Sequence, residues 1–284
     1  MSRELDFIKQ DAYMAELIRK YNLPDSFLEQ HTAKILRVLK SRSKCANCKG
    51  LYACSQKSPG ERLDLTFDGV LIDEIEYCDY ALNKIKKDNL SKSYLYCDVP
   101  ENIIDIDLNN VNYTADQEHL YLKLAAIYTK KTNKGLYIVG DLGVGKTYLC
   151  AALANSLVKN GEKVAFVKVS NFFNEIKSYI STRNELIDEN INRLQKATYL
   201  FLDDIGAESV SEFVRDDILF RILDYRLENK LTTIFTSNLN KDDLLKHYTY
   251  DRKDNANLMN AKRLMERIDI LGEDFTVSGK NMRR

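Results

Sequence analysis

The sequence has no uninterrupted apolar run near the roughly 18 residues that a membrane-spanning helix requires, so no membrane-spanning segment is predicted. Its first residues, Met-Ser-Arg-Glu-Leu-Asp, lack the apolar stretch of a secretory signal peptide. Both absences make a cytoplasmic location the expectation. In that reducing compartment the six cysteines are not expected to form disulfide bonds.

The chain has no excess of either charge, since Lys plus Arg and Asp plus Glu each number 42. This balance excludes a global electrostatic field that favours nucleic acid, so any nucleic-acid contact has to come from a local patch. No internal repeat is visible. The 284 residues, with 44% hydrophobic and 30% charged side chains, have the composition of a globular protein and the length of two domains.

The most informative motif present is a complete P-loop of the form G-x-x-x-x-G-K-[ST] at residues 140–147. A predicted buried strand at 135–139 precedes it and an apolar helical pattern follows, which disfavours the alternative of a glycine-rich turn without a ligand. In a P-loop, backbone N–H groups and the positive end of the helix converge on a triphosphate. The residues predicted to hold ATP are Gly140, Asp141, Leu142, Gly143, Val144, Gly145, Lys146 and Thr147. Lys146 is expected to reach the β- and γ-phosphates and Thr147 to bind Mg²⁺.

Two further polar sites follow predicted strands. Residues 197–204 form an apolar run that ends in Asp203 and Asp204, and the carboxyl ends of strands are where α/β sheets bind ligands. Asp203 suits the Mg²⁺ shell, and Asp204 suits the positioning of the attacking water. A solvated turn is the weaker alternative downstream of a P-loop. A strand at 231–236 leads to Asn238, which we interpret as a sensor of the γ-phosphate, with a strand-capping asparagine as the alternative.

Four of the six cysteines cluster in the first third of the chain, at Cys45, Cys48, Cys54 and Cys78. The two-residue spacing of the first pair lets two thiolates bind one ion from a tight turn. No histidine lies between Cys48 and Cys78, so His31 is a remote alternative as the fourth ligand. The pattern favours structural zinc, and incidental buried thiols are the alternative.

The chain order predicts two domains. Residues 1–82 combine helical patterns with short strands, which predicts an α+β domain stapled by zinc, as small domains often require. Residues 83–96 are polar and basic and are predicted to form a linker, with a solvated helix as the alternative. Residues 97–284 alternate helices and strands, which predicts an α/β fold with a doubly wound parallel sheet. The sequence after Asn238 is too short for a separate helical lid, so none is expected.

A helix predicted at 257–270 carries Arg263 and Arg267 at i,i+4 spacing, on one face opposite Leu264 and Ile268. An arginine there can stabilise phosphoryl-transfer charge on the nucleotide of a neighbouring subunit. A solvated basic face is an equal alternative.

The motifs G-D-L-G-V-G-K-T, F-L-D-D-I-G-A-E, F-T-S-N, A-K-R-L-M-E-R-I and T-V-S-G-K-N-M-R-R together resemble those of bacterial replicative helicase loaders of the DnaI/DnaC family. The resemblance covers about residues 97–284 and extends more weakly over 1–80. It implies an AAA+ ATPase domain without a full lid that binds ATP and single-stranded DNA. It also implies a zinc-containing N-terminal domain that docks on the hexameric replicative helicase.

The resemblance also implies individual roles: Lys146 and Thr147 as Walker A, Asp203 and Asp204 as Walker B, Asn238 as sensor 1, and Arg267 as the arginine finger between subunits. Most AAA+ proteins have glutamate where this chain has Asp204, and the shorter side chain predicts slow, switch-like ATP hydrolysis. Zinc sites of relatives can include a histidine, whereas this stretch offers only cysteines.

A pair of predicted helices before Asp203 resembles an initiator-type element of the family and carries Phe172, Phe173, Lys177 and Tyr179. Aromatic rings beside a lysine can stack on unpaired bases. Inward packing of Phe172 is the alternative, which leaves Lys177 and Tyr179 as the exposed candidates for single-stranded DNA.

Three functions are therefore compared. The leading one is an ATP-switched loader that places a helicase ring on single-stranded DNA and assembles with other subunits of itself. The ATPase helper of a DNA transposition system shares the same core, but the cysteine module argues against it. A zinc-dependent DNA-binding module with a degenerate ATPase conflicts with the intact P-loop and with Asp203 and Asp204.

Overall fold

The computed structural model describes residues 3–130, 134–180, 183–249 and 255–282. The chain divides into two compact units, Met1–Lys86 and Lys87–Arg284, called here the N-terminal and C-terminal units. The last two arginines of the T-V-S-G-K-N-M-R-R motif lie outside the described residues. None of the helices in the described ranges has the length and apolar character needed to cross a membrane.

The N-terminal unit packs helices against an antiparallel hairpin, as expected for an α+β domain. Its elements are α1 (Arg3–Gln10), α2 (Ala12–Tyr21), α3 (Asp25–Gln30), α4 (Thr32–Ser43), β1 (Glu61–Phe67) and β2 (Leu71–Tyr77). Helices α1 and α2 are separated at Asp11, because its carboxylate accepts the N–H groups of Tyr13 and Met14 and starts a new helix. The hairpin pairs Leu63 with Ile75. Its core consists of Leu5, Ile8, Met14, Leu23, Leu28, Ile35, Val38, Leu39, Leu65 and Leu71.

The segment predicted as a linker, 83–96, has regular structure along most of its length. Helix α5 (Asp79–Lys92) covers its first part, and the short strand β3 (Tyr96–Cys97) begins at its end. The Tyr94 hydroxyl donates to Asn155 at 2.5 Å, inside the C-terminal unit. The sequence pattern did not reveal this helix because its apolar residues form no strong stripe: Ala81 is buried, whereas Tyr80, Leu82 and Ile85 are exposed. The solvated-helix alternative describes this segment better.

The C-terminal unit contains a six-stranded parallel sheet in the described ranges, in the order β3-β5-β6-β7-β4-β8. Its strands after β3 are β4 (Gly135–Gly140), β5 (Val164–Lys168), β6 (Tyr199–Asp203), β7 (Thr232–Ser237) and β8 (Gly272–Val277). Alternate residues of the central strands belong to two separate hydrophobic clusters, one containing Leu200 and Leu202 and the other Phe201. A sheet with both faces buried is the doubly wound architecture predicted from the sequence.

Helices cover both faces of this sheet, and the predicted nucleotide-binding residues lie at one of its edges. They are α6 (Glu118–Lys130), α7 (Lys146–Lys159), α8 (Val169–Tyr179), α9 (Asn184–Lys196), α10 (Arg221–Glu228), α11 (Lys241–Tyr248) and α12 (Asn255–Leu271), with a π-helical segment at Phe213–Phe220. Because all strands are parallel, the carboxyl ends of β4, β6 and β7 meet at the same edge. Asp203 and the P-loop lie at this edge, and Asn238 follows β7 there.

Candidate nucleotide-binding site

The P-loop connects the end of β4 at Gly140 to the start of α7 at Lys146. Gly143 and Gly145 have φ angles of 82° and 95°, in the left-handed region that favours glycine. The N-terminus of α7, a 14-residue helix, is directed at the loop and favours bound anions there. The local backbone therefore fits a phosphate group, as the motif predicted.

Lys146 is buried at 7% exposure, and its ammonium group has three acceptors for its three donors. Its Nζ donates to the carbonyl oxygens of Gly140 at 2.6 Å and Asp141 at 2.9 Å, and to Asn238 Oδ1 at 2.8 Å. Asn238 Nδ2 in turn donates to Asp204 Oδ1 at 3.0 Å. Three residues far apart in sequence thus form one hydrogen-bonded chain from the P-loop to the end of β6.

Asp203 lies next to the first turn of α7. Its Oδ1 accepts hydrogen bonds from Thr147 Oγ1 at 2.8 Å and Thr236 Oγ1 at 2.7 Å. Burial raises the pKa of the Asp203 carboxyl, which the two hydroxyl donors counteract only in part. A threonine hydroxyl and a carboxylate side by side are oxygen ligands of the type that Mg²⁺ takes in nucleotide sites. The donor set therefore fits the magnesium predicted for Thr147 and Asp203.

Asp204 has a backbone conformation that is uncommon for residues other than glycine, with φ of 64°. Thr236 holds it there, because its hydroxyl accepts the Asp204 N–H and its carbonyl accepts the Ile205 N–H, both at 2.9 Å. This turn directs the Asp204 carboxylate to Asn238, while the Asp203 carboxylate meets Thr147. Strained backbone of this kind concentrates at functional sites.

Three polar residues that the sequence analysis missed support this edge of the sheet. Thr236 is 3% exposed and links both aspartates as described above. Glu208 accepts the Gly206 N–H at 2.8 Å and the Tyr248 hydroxyl at 2.5 Å, so it fixes the loop after β6. Gln117 is 4% exposed and donates to the Val144 carbonyl at 2.8 Å. The capping-box pattern Thr114-x-x-Gln117 is a sequence signal for Gln117, whereas nothing comparable marks Glu208.

Arg267 lies on α12 but contacts other parts of its own unit. Its guanidinium donates to Asp224 at 3.0 Å and Glu266 at 2.7 Å and lies 4.8 Å from the Phe220 ring centroid. These partners belong neither to the P-loop nor to the ends of β6 and β7. Leu264 and Ile268 are buried as the helical pattern predicted, and Arg263 is exposed.

The residues predicted to stack on DNA are less accessible than expected. Phe172 and Phe173 are 1% and 2% exposed and belong to the core, so the inward-packing alternative is confirmed for Phe172 and extends to Phe173. Lys177 and Tyr179 are half-buried instead of exposed. Lys177 donates to the Ser209 carbonyl at 3.4 Å, and the Tyr179 hydroxyl donates to Glu175 at 2.6 Å, which raises the pKa of Tyr179.

The four clustered cysteines line one cavity of about 190 Å³ in the N-terminal unit. Gln56 Nε2 donates to Cys45 Sγ at 3.2 Å, and the Gly60 N–H donates to Cys54 Sγ at 3.5 Å, which lowers the pKa of the Cys54 thiol. Within the described ranges, however, no three His, Cys, Asp or Glu side chains are arranged to hold a metal ion. The fold thus brings the thiols to one cavity without placing them in coordination geometry. His31 is not part of the cavity lining and contacts the Phe27 ring.

Comparison with known proteins agrees with this geometry. Residues 93–283 match the family described as IstB-like ATP binding protein. The replicative helicase loader DnaI of Bacillus subtilis (strain 168) is 30% identical over 268 residues, which cover 92% of this chain and 85% of that protein. A crystal structure of DnaI matches with a TM-score of 0.56 and 36% identity, covering 69% of this chain and 100% of that chain. A primosome component from Streptococcus pyogenes serotype M3 matches with a TM-score of 0.54 and 30% identity, over 68% of this chain and 97% of that one.

The family match contains the P-loop, the Asp203–Asp204 turn and Asn238. The match to DnaI extends beyond the nucleotide site, because an alignment over 92% of the chain includes most of the N-terminal unit. The chain therefore belongs to the family of IstB-like ATP binding proteins, with the AAA+ fold, and is similar to the DnaI helicase loader.

Proposed function

We propose that this protein is an ATP-dependent loader of the replicative DNA helicase onto single-stranded DNA, acting in the cytoplasm during replication initiation. The observation that carries the proposal is the hydrogen-bonded chain from Lys146 through Asn238 to Asp204, set in a sequence that is similar to DnaI along nearly its whole length. Similarity that includes the N-terminal unit favours a loader over the ATPase helper of a transposition system.

The site residues fit an ATP switch. Mg²⁺ bound by Thr147 and Asp203 would neutralise charge on the β- and γ-phosphates. Lys146 exchanges the carbonyls of Gly140 and Asp141 for phosphate oxygens when ATP binds. Asn238 contacts both Lys146 and Asp204. A movement of the Lys146 ammonium therefore changes the hydrogen bonding of Asp204 at the end of β6. Asp204 orients the attacking water, and hydrolysis is slow because its side chain is one methylene shorter than glutamate.

A loading assay tests this function. Purified chain, the replicative helicase of the same host and circular single-stranded DNA are mixed with ATP, with ADP or without nucleotide. We expect helicase to accumulate on the DNA only when the chain and ATP are both present. Unchanged loading when the chain is omitted would contradict the proposal.

We further propose that Cys45, Cys48, Cys54 and Cys78 bind one structural Zn²⁺ in the N-terminal unit. The support is that all four thiols line one cavity. Zinc binding requires the thiols to move, since they do not form a coordination shell in the structure.

Zinc analysis of freshly purified protein is expected to give one ion per chain. Acid or a chelator should release it and unfold the N-terminal unit, because thiolates must be deprotonated and the small core gains stability from the metal. Circular dichroism before and after chelation measures this change. Cys150→Ser, at a buried cysteine of the P-loop helix, is the control that keeps its zinc. Metal-free protein with an unchanged spectrum would exclude the site.

The domain roles also remain proposals: residues 1–82 bind the helicase and residues 97–284 bind nucleotide. Each unit has its own hydrophobic core, which supports separate folding. Calorimetry with the two compact units, 1–86 and 87–284, and the host helicase is expected to give heat of binding for the N-terminal fragment alone. Binding by the ATPase fragment and not by the N-terminal fragment would reverse the assignment.

A further inference from the structure

Residues 278–282, which follow β8, contact the P-loop at Gly143. Strand β8 runs beside β4 as far as the pair Val277–Gly140. Beyond it, the Met282 N–H donates to the carbonyl oxygen of Gly143 at 3.0 Å. The Asn281 side chain occupies the space next to the same glycine, because a Cβ at Gly143 would lie 2.0 Å from Asn281 Oδ1. Gly143 is therefore constrained by this contact as well as by its φ angle.

The bond to the Gly143 carbonyl has a consequence for the next N–H group. In a trans peptide, the carbonyl of one residue and the N–H of the next point in opposite directions within one plane. The bond from the Met282 N–H to the Gly143 carbonyl therefore leaves the Val144 N–H pointing away from residues 278–282. In a P-loop, backbone N–H groups of this kind meet phosphate oxygens.

Gln117 makes the same type of contact one peptide further along. Its Nε2 donates to the Val144 carbonyl at 2.8 Å, which leaves the Gly145 N–H pointing away from Gln117. Its Oε1 accepts the Thr114 N–H at 2.9 Å, so the amide is held at both ends. Residues 278–282 and Gln117 are neighbours in space, because a Cβ at Gly279 would lie 3.4 Å from Asp116, the residue next to Gln117.

We propose that residues 278–282 are a positioning element of the nucleotide site, which holds the 143–144 peptide with its N–H facing the phosphate. This rests on the proposed ATP binding. Met282 and Asn281 are exposed, whereas Gln117 is buried, so the 278–282 segment is the support that detaches more easily. Because the segment favours the phosphate-binding loop conformation, nucleotide and segment docking stabilise each other.

A matched pair of substitutions at Met282 tests this inference in the full chain. Met282→Pro removes the N–H donor, whereas Met282→Ala keeps it and removes a side chain that is 59% exposed. We expect Met282→Pro to weaken binding of a fluorescent ATP analogue by roughly five- to tenfold, as for the loss of one hydrogen bond, and Met282→Ala to bind as the unchanged chain does. Both variants should keep the melting temperature measured without nucleotide, since the position follows the last described strand.

A second measurement separates positioning from general folding. Backbone hydrogen exchange of residues 278–281 should be slower with ATP in the unchanged chain and in Met282→Ala, but not in Met282→Pro. Two results would overturn this inference alone: equal ATP affinity of the two variants, or exchange rates that ATP does not change in any of the three proteins although they bind it. Absence of ATP binding by the unchanged chain would overturn the proposed function and this inference with it.

Discussion

Lys146→Ala is expected to weaken ATP binding by at least about a hundredfold, because a charge-assisted contact to the phosphates is lost. In the structure its ammonium occupies the space between the P-loop carbonyls and Asn238. Alanine leaves these acceptors without their donor and separates the P-loop from Asn238. Titration with a fluorescent ATP analogue measures the loss of affinity, and an ATP-dependent loading assay should show no response to nucleotide.

Lys159→Ala is the matched control for this experiment. Lys159 is the last residue of the same helix, carries the same charge and pairs with Asp107 at 2.5 Å, far along α7 from the P-loop. Its substitution is expected to leave ATP affinity unchanged. Tight ATP binding by Lys146→Ala would show that the P-loop lysine does not contact the phosphates.

Arg267→Ala is expected to keep ATP binding by the single chain and to lose ATP-linked assembly and ATP-linked binding of single-stranded DNA. An arginine supplied by a neighbouring subunit contributes about 10³ to 10⁵ in rate in phosphoryl-transfer enzymes. The neutral chain has no global attraction for DNA, so repetition of a local patch across subunits has to supply the affinity. Sedimentation with and without ATP measures assembly. Fluorescence anisotropy measures DNA binding, which should also fall with added salt.

Two further variants, Arg263→Ala and Asp224→Asn, show whether the effect of Arg267→Ala comes from contact with a neighbouring subunit. Arg263→Ala removes an exposed arginine one turn away on α12 and should leave assembly unchanged. Asp224→Asn removes the ion-pair partner that holds Arg267 within its own unit, and it should promote ATP-linked assembly if the arginine acts on a neighbour. Normal assembly and DNA binding by Arg267→Ala would mean that this arginine serves only its own unit, through Asp224 and Phe220.

Local signals in the sequence were strong where one short segment contains both the backbone pattern and the chemistry. The P-loop is such a case, because its glycines, its lysine and its flanking strand and helix are adjacent in the chain. The Asp203–Asp204 turn is another, since an apolar run of strand length leads directly into both carboxylates. By contrast, α5 has no strong apolar stripe and β3 has only two residues, and 83–96 was predicted to be a linker for that reason.

By itself, then, the sequence determined the α/β class, the parallel sheet, the P-loop and the acidic residues of the nucleotide site. Only the tertiary structure decided which distant groups meet there: Asn238 with Lys146, Thr236 with both aspartates, and Gln117 and Met282 with carbonyls of the P-loop. It also decided that Phe172 is in the core and that Arg267 pairs with Asp224. The physical reason is that periodicity and motif spacing record local backbone geometry, whereas these contacts depend on how parallel strands align their ends and on how helices pack across the sheet.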